Sequence, residues 1–205
     1  MFRENTTNMK YTALIITVLC SQLVGCAQVT IPNKDEQIAQ SVQAAPEDQR
    51  EAATVMGYNS NNELVVIRKG TNSLTCVSDD PQKEGFNCVC YHNDLEPFMQ
   101  RGRELRTEGK GHQEIFDQRE KEVQEGVLKM PENPATLHVL SGPDGRYNPE
   151  TGKVENANYR YVVYISYATP ESTGLPLRPM VPGGPWIMDP GTHRAHIMIS
   201  PPAPE

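Results

Sequence analysis

From residue 53 the chain changes its hydrophobic period to two, in short runs separated by turn residues. Thr54-Val55-Met56-Gly57-Tyr58 and Glu63-Leu64-Val65-Val66-Ile67 flank the cluster Asn59-Ser60-Asn61-Asn62, the pattern of a β-hairpin. Lys69-Gly70-Thr71-Asn72 is the next turn and leads into Leu74-Thr75-Cys76-Val77. Asp79-Asp80-Pro81 through Gly85 turns the chain again into Phe86-Asn87-Cys88-Val89-Cys90-Tyr91. Because successive side chains on a strand point to opposite faces, these runs predict a four-strand antiparallel meander. Leu74, Cys76, Phe86, Cys88 and Cys90 fall on one apolar face of it.

The period then lengthens. Asn93 or Asp94 is a suitable cap, and Leu95, Phe98, Met99, Gly102 and Leu105 repeat at helical spacing as one buried stripe. Gly109-Lys110-Gly111 breaks it. A second helix, or a continuation of the first, over residues 113–124 turns Ile115, Phe116 and Val123 inward and Glu114, Glu120, Lys121 and Glu122 to water. Strands are predicted over 135–140 and 159–167, a Pro/Gly-rich connection over 169–191, and a short last strand over 195–200. A connection that long is either functional or loosely ordered. With 17 prolines and 15 glycines the chain is rich in turns, and its length suits one domain with a real core. The expected fold class is α+β: an antiparallel sheet of about six or seven strands with one or two helices packed on one face, spanning residues 51–205.

The N-terminal segment has a different logic. Lys10 is a positive n-region, residues 13–20 form a short apolar run, and Leu23-Val24-Gly25-Cys26 places a small residue before a cysteine. Ser21 and Gln22 stop the run well short of the roughly 20 apolar residues of a spanning helix. Met9-Lys10 makes a more typical start than Met1, because Glu4, Asn5 and Asn8 are unusual in an n-region. The segment resembles the lipobox signal sequence of bacterial lipoproteins. That resemblance implies that residues 1–25 are a signal peptide, that Cys26 is acylated after cleavage, and that Ala27, in place of an inner-membrane-retaining Asp, sends the protein to the outer membrane, facing the periplasm. An ordinary secreted protein cut nearby is the plainer alternative. Residues 26–50 are then an acylated tether carrying a short helix over 35–45, with Ile38 and Val42 on one face, that holds the domain off the membrane.

The formal charge is −7. Removing residues 1–25 takes away Arg3, Lys10 and Glu4, a net +1, and leaves −8. An acidic domain without a basic patch is a poor partner for nucleic acid or anionic lipid surfaces. Of five cysteines, Cys76, Cys88 and Cys90 remain beyond the anchor, and an oxidising envelope favours one disulfide with one thiol left over. Cys76 pairs with Cys88 or with Cys90 across a hairpin. Cys88 with Cys90 is disfavoured, since residues two apart on a strand lie about 6.6 Å from each other, near the limit of disulfide reach.

Few residues offer chemistry. Cys76, Cys88, Cys90 and His92 are soft-metal ligand types, but a strand spreads the last three over about 13 Å, too far for one zinc. Cys90 with His92 offers a thiol–imidazole pair without an orienting third group. His193 and His196 have His-x-x-His spacing, with Asp189 or His138 as further ligands. Yet Pro190-Gly191-Thr192 before them and Ile197-Met198-Ile199 after them predict a turn running into a strand, where the two rings diverge. Tyr159, Tyr161, Tyr164 and Tyr167 crowd nine residues, and aromatic faces with polar tips suit sugar rings or peptides; Trp186 in Gly183-Gly184-Pro185-Trp186 is placed to line the same groove. Tyr159, Tyr161, Tyr167 and Trp186 are therefore the candidate binding residues. No nucleophile elbow, phosphate-cradling glycine loop, His-Glu-x-x-His or dinucleotide fingerprint is present.

The sequence thus leads us to expect a lipid-anchored outer-membrane protein with a non-catalytic binding or envelope-assembly role. Its expected partners are the membrane, through the anchor, and an envelope protein or the cell wall; no cofactor is implied. The competing expectation is an envelope hydrolase or metal-binding protein using His193, His196 and Asp189.

Overall fold

The computed structural model describes Met1 and residues 30–202; Cys26 and the lipobox-like motif lie outside the described residues. Eight strands form one mixed, mostly antiparallel sheet: β1 (Thr54–Tyr58), β2 (Leu64–Arg68), β3 (Leu74–Val77), β4 (Phe86–His92), β5 (Ala135–Gly142), β8 (Asn158–Tyr164), β9 (Trp186–Met188) and β10 (His196–Ile199). Their order across the sheet is β2-β1-β3-β4-β5-β8-β10-β9, and β6 (Arg146–Asn148) with β7 (Lys153–Glu155) forms a separate small hairpin. The helices are α1 (Lys34–Ser41), α2 (Glu96–Thr107), α3 (His112–Gln124) and the single turn α4 (Pro170–Thr173).

The fold class is α+β, with a sheet larger than the six or seven strands expected. The extra strand is β9, inside the Pro/Gly-rich stretch read as a connection. It pairs with β10, and its Ile187 amide donates to the Pro176 carbonyl at 3.0 Å. The four-strand meander is also corrected. β1 and β2 form the predicted hairpin, but β3 lies on the other side of β1 and runs parallel to it, with Val55 opposite Cys76. The turn after β2 crosses the start of β1, where the Thr71 and Asn72 amides both donate to the Ala52 carbonyl. Gly70 makes the crossing possible: a Cβ there would lie 2.2 Å from the Thr54 nitrogen and 2.3 Å from the Ala53 carbonyl carbon.

Helices cover both faces of the sheet rather than one. Along β4, Phe86, Cys88 and Cys90 point to the face covered by α1 and the turn after it, in a cluster with Ala44, Ala45, Val55 and Leu140. Val89 and Tyr91 point to the opposite face, under Leu95 and Phe98 at the start of α2 and Val123 of α3. The predicted stripe of α2 is present, with Leu95, Phe98, Gly102 and Leu105 buried and Met99 half-buried.

The described part of the expected tether belongs to the domain. Gln37, Gln40, Ser41 and Ala44 are buried at helical spacing. β3 runs alongside β1 only as far as Met56, and the Gln37 side chain continues its edge. Its amide nitrogen donates to the Tyr58 carbonyl at 2.9 Å, and its amide oxygen accepts from the Tyr58 nitrogen at 2.7 Å. Gln40 donates to the Ser78 hydroxyl at 2.9 Å. The buried stripe is polar and small, so a hydrophobic pattern search centred on Ile38 and Val42 passes over it.

Candidate functional site

Strand parity separates the expected binding residues. Tyr159 and Tyr161 lie on the α1 face, their rings stacked 6.1 Å apart, with Tyr161 edge-on to His138. The Tyr159 hydroxyl donates to the Gln43 carbonyl at 2.9 Å, tying the turn after α1 to the sheet. Trp186 pairs with Met198, which pairs with Val162 of the α2 face. Trp186 is therefore on the opposite side of the sheet from Tyr159 and Tyr161, and no shared groove forms. Tyr167 lies beyond β8 in a left-handed conformation, φ 62°, and its hydroxyl donates to Glu120 at 3.2 Å.

The histidines are separated in the same way. The His193 ring is fully buried, and its Nδ1 lies 2.6 Å from Glu120 Oε2, which also accepts from the His193 amide at 2.8 Å. Burial pulls the His193 pKa below its ordinary value against the pull of Glu120. Burial opposes the Glu120 charge, yet the His193 amide and ring hold that carboxyl below its usual range. The ring is thus a neutral Nδ1–H donor to a carboxylate, packed against Phe98 and Phe116. His196 turns its Nδ1 to the Arg194 carbonyl at 2.7 Å, and Asp189 accepts from Arg194 Nε at 2.7 Å. Each candidate has its own partner. Among the described residues no group of three or more His, Cys, Asp or Glu side chains is placed to hold a metal, and His193, His196 and Asp189 are not gathered into one. Their arrangement instead locks the turn before β10 onto α3.

The disulfide joins Cys76 to Cys90, not Cys88. The register decides it: Cys76 and Cys90 are direct cross-strand partners, whereas Cys88 sits opposite Leu140 and stays a buried thiol. Burial raises the Cys88 thiol far above its ordinary pKa, and an un-ionised thiol is a poor nucleophile and a poor metal ligand.

A cleft of about 350 Å³ opens where α2 stands off the other face of the sheet. This is within the range of small-molecule sites. Val77, Val89 and Leu137 form its sheet wall, with Tyr58 and Tyr164 beside them; Phe98, Met99 and Gly102 form the helix wall. Tyr58 remains a phenol, its pKa pushed up to about 12 by burial and by the charges of Asp80 and Asp79. Arg103 at the mouth is held by the Tyr91 hydroxyl at 3.2 Å and by Glu96. Arg119 of α3, buried, and Arg194, half-buried, also line the cleft.

Of these cleft residues only Tyr164, in the Tyr-rich strand, stood out in the sequence as functional. The signal was a cation on an inward stripe: Ile115, Arg119 and Glu122 are the buried positions of α3. Glu122, expected in water, accepts from Arg101 at 2.8 Å. Compared with protein-family models, curated proteins and solved structures, the chain matches none.

Proposed function

We propose that this protein is a binding lipoprotein of the bacterial envelope, anchored to the outer membrane through acylated Cys26 and facing the periplasm. It captures a small ligand without catalysis in the cleft between α2 and the sheet. The observation that carries the binding role is the cleft itself, a concave space of about 350 Å³ whose lining combines apolar and aromatic side chains with charged ones. The lipobox-like motif supports the location, and the Cys76–Cys90 bridge is consistent with an oxidising compartment. No helix among the described residues is long and apolar enough to cross a membrane, so the anchor carries the attachment in this reading.

Each half has its own test. Cys26→Ser is expected to release the protein from the membrane fraction and to abolish the added lipid mass; retention at unchanged mass overturns the anchor. Calorimetric titration with octan-1-ol and with octanoate is expected to show one-to-one saturable binding of at least one probe. Met99→Trp, which places an indole in the helix wall, is expected to abolish that binding. If neither probe binds, or Met99→Trp is silent, the cleft is not a binding site.

A further inference from the structure

Arg119 is 92% buried, and among the described residues no carboxylate lies within ion-pairing distance of it. Its guanidinium sits 3.8 Å over the Phe98 ring, and Nη1 donates to the Phe98 carbonyl at 3.2 Å. Nε is buried without a hydrogen-bond partner. Glu122, three residues on along α3, is committed to Arg101 and Gln118. Burial pulls the Arg119 pKa down to about 10, and the charges of Arg194 and Arg106 add to the fall. The group therefore remains cationic at neutral pH. A buried charge without an ion-pair partner carries a desolvation penalty that the Phe98 carbonyl and ring offset only in part, and an anion entering the cleft would pair with it.

The surroundings fit that arrival. The cleft is lined by five cationic side chains, Lys83, Arg103, Arg106, Arg119 and Arg194, against three carboxylates, Asp79, Asp80 and Glu84, in a chain whose formal charge is −7. Lys83 pairs with Asp80, Arg103 with Glu96 and Arg194 with Asp189. Arg106 is exposed at the mouth and makes no ion pair among the described residues. Two guanidinium groups without an ion pair among the described residues, one buried and one exposed, thus flank the apolar wall of Val77, Val89, Leu137, Phe98 and Met99. Guanidinium is the side chain best matched to a carboxylate.

Building on the binding role proposed above, we infer that the cleft takes an organic carboxylate with an apolar body. Its acid group is drawn to Arg119 and its hydrocarbon part lies between Phe98, Met99 and the sheet wall of Val77, Val89 and Leu137.

The test compares octanoate with octan-1-ol, which share the apolar chain and differ at the head. Octanoate is expected to bind the wild type at least tenfold more tightly. In Arg119→Met, a change that keeps an unbranched apolar side chain over Phe98, the two probes are expected to bind within threefold of each other. Arg106→Gln removes an exposed group, leaves the fold intact, and is expected to weaken octanoate two- to fourfold without affecting octan-1-ol. If octan-1-ol binds the wild type as tightly as octanoate, or a folded Arg119→Met keeps the preference, the carboxylate assignment is overturned while the cleft stands as a binding site. If neither probe binds, both fall.

Discussion

Glu120 on α3 accepts the backbone amide and the ring Nδ1 of His193 with the same carboxylate oxygen, at 2.8 and 2.6 Å. The pair pins the turn between β9 and β10 to the helical layer, and it titrates. His193, His196 and His138 all have pKa values lowered by burial. The unfolded chain therefore takes up protons first as pH falls through about 6.5, and stability declines from there until the folded values are passed. Glu120, held below its ordinary value, contributes above the unfolded carboxylate value and is lost as pH falls through its folded one. Thermal melts from pH 7.5 to 4 should show the melting temperature falling below about pH 6.5, with a shallower decline in His193→Gln. A flat profile between pH 7 and 5 would refute this.

Gln37 carries a second prediction. Its side chain supplies both hydrogen-bond partners of the Tyr58 backbone on the side where β3 has ended. Gln37→Leu leaves those two backbone groups facing an apolar side chain. An unmet buried donor or acceptor costs about 1–3 kcal/mol, so with two such groups urea denaturation should report a loss of about 2–6 kcal/mol in all. A loss within error of zero would mean that α1 is peripheral after all.

The cysteines give a third. A bridge closing a loop with sequence separation 14 adds about 3 kcal/mol in the chain-entropy account. Cys76→Ser and Cys90→Ser should each lower stability by about that amount and abolish the mass difference between oxidised and reduced protein. Cys88→Ala should retain that difference, because Cys88 lies opposite Leu140, away from the bridge. Loss of the mass difference in Cys88→Ala would reassign the pairing.

Periodicity located most of the strands and the inward stripe of α2, because those elements bury apolar side chains in regular alternation. It failed where burial is polar or small. The stripe Gln37-Gln40-Ser41-Ala44 reads as a spacer and Glu122 as part of a solvated face, while Arg119 drew no reading at all, yet all are buried. The order of β1, β2 and β3 was hidden for another reason: Lys69-Gly70-Thr71-Asn72 has the composition of a hairpin turn, and only the contact of Gly70 with the β1 backbone shows that the chain crosses over. The binding candidates failed on parity. Tyr159 and Trp186 belong to different strands, and their faces depend on the register of β8 with β10 and of β10 with β9. That long-range fact has no local signature. The cleft is equally non-local, assembled from α2, α3 and six strands.

Gly102 offers a way to disturb the cleft without disturbing the fold. A Cβ at this position would lie 2.9 Å from Arg119 Nη1 and meet nothing else closer than 3.5 Å. Gly102→Ala therefore moves the guanidinium tip rather than the backbone. Alanine is favoured over glycine in a helix interior by about 1 kcal/mol, which offsets part or all of the cost of that shift. The melting temperature should stay within a few degrees of the wild type, while the preference for octanoate over octan-1-ol should fall at least threefold, because Arg119 no longer sits where the acid group is expected. An unchanged preference in a folded Gly102→Ala protein would show that the position of Arg119 does not set ligand selection.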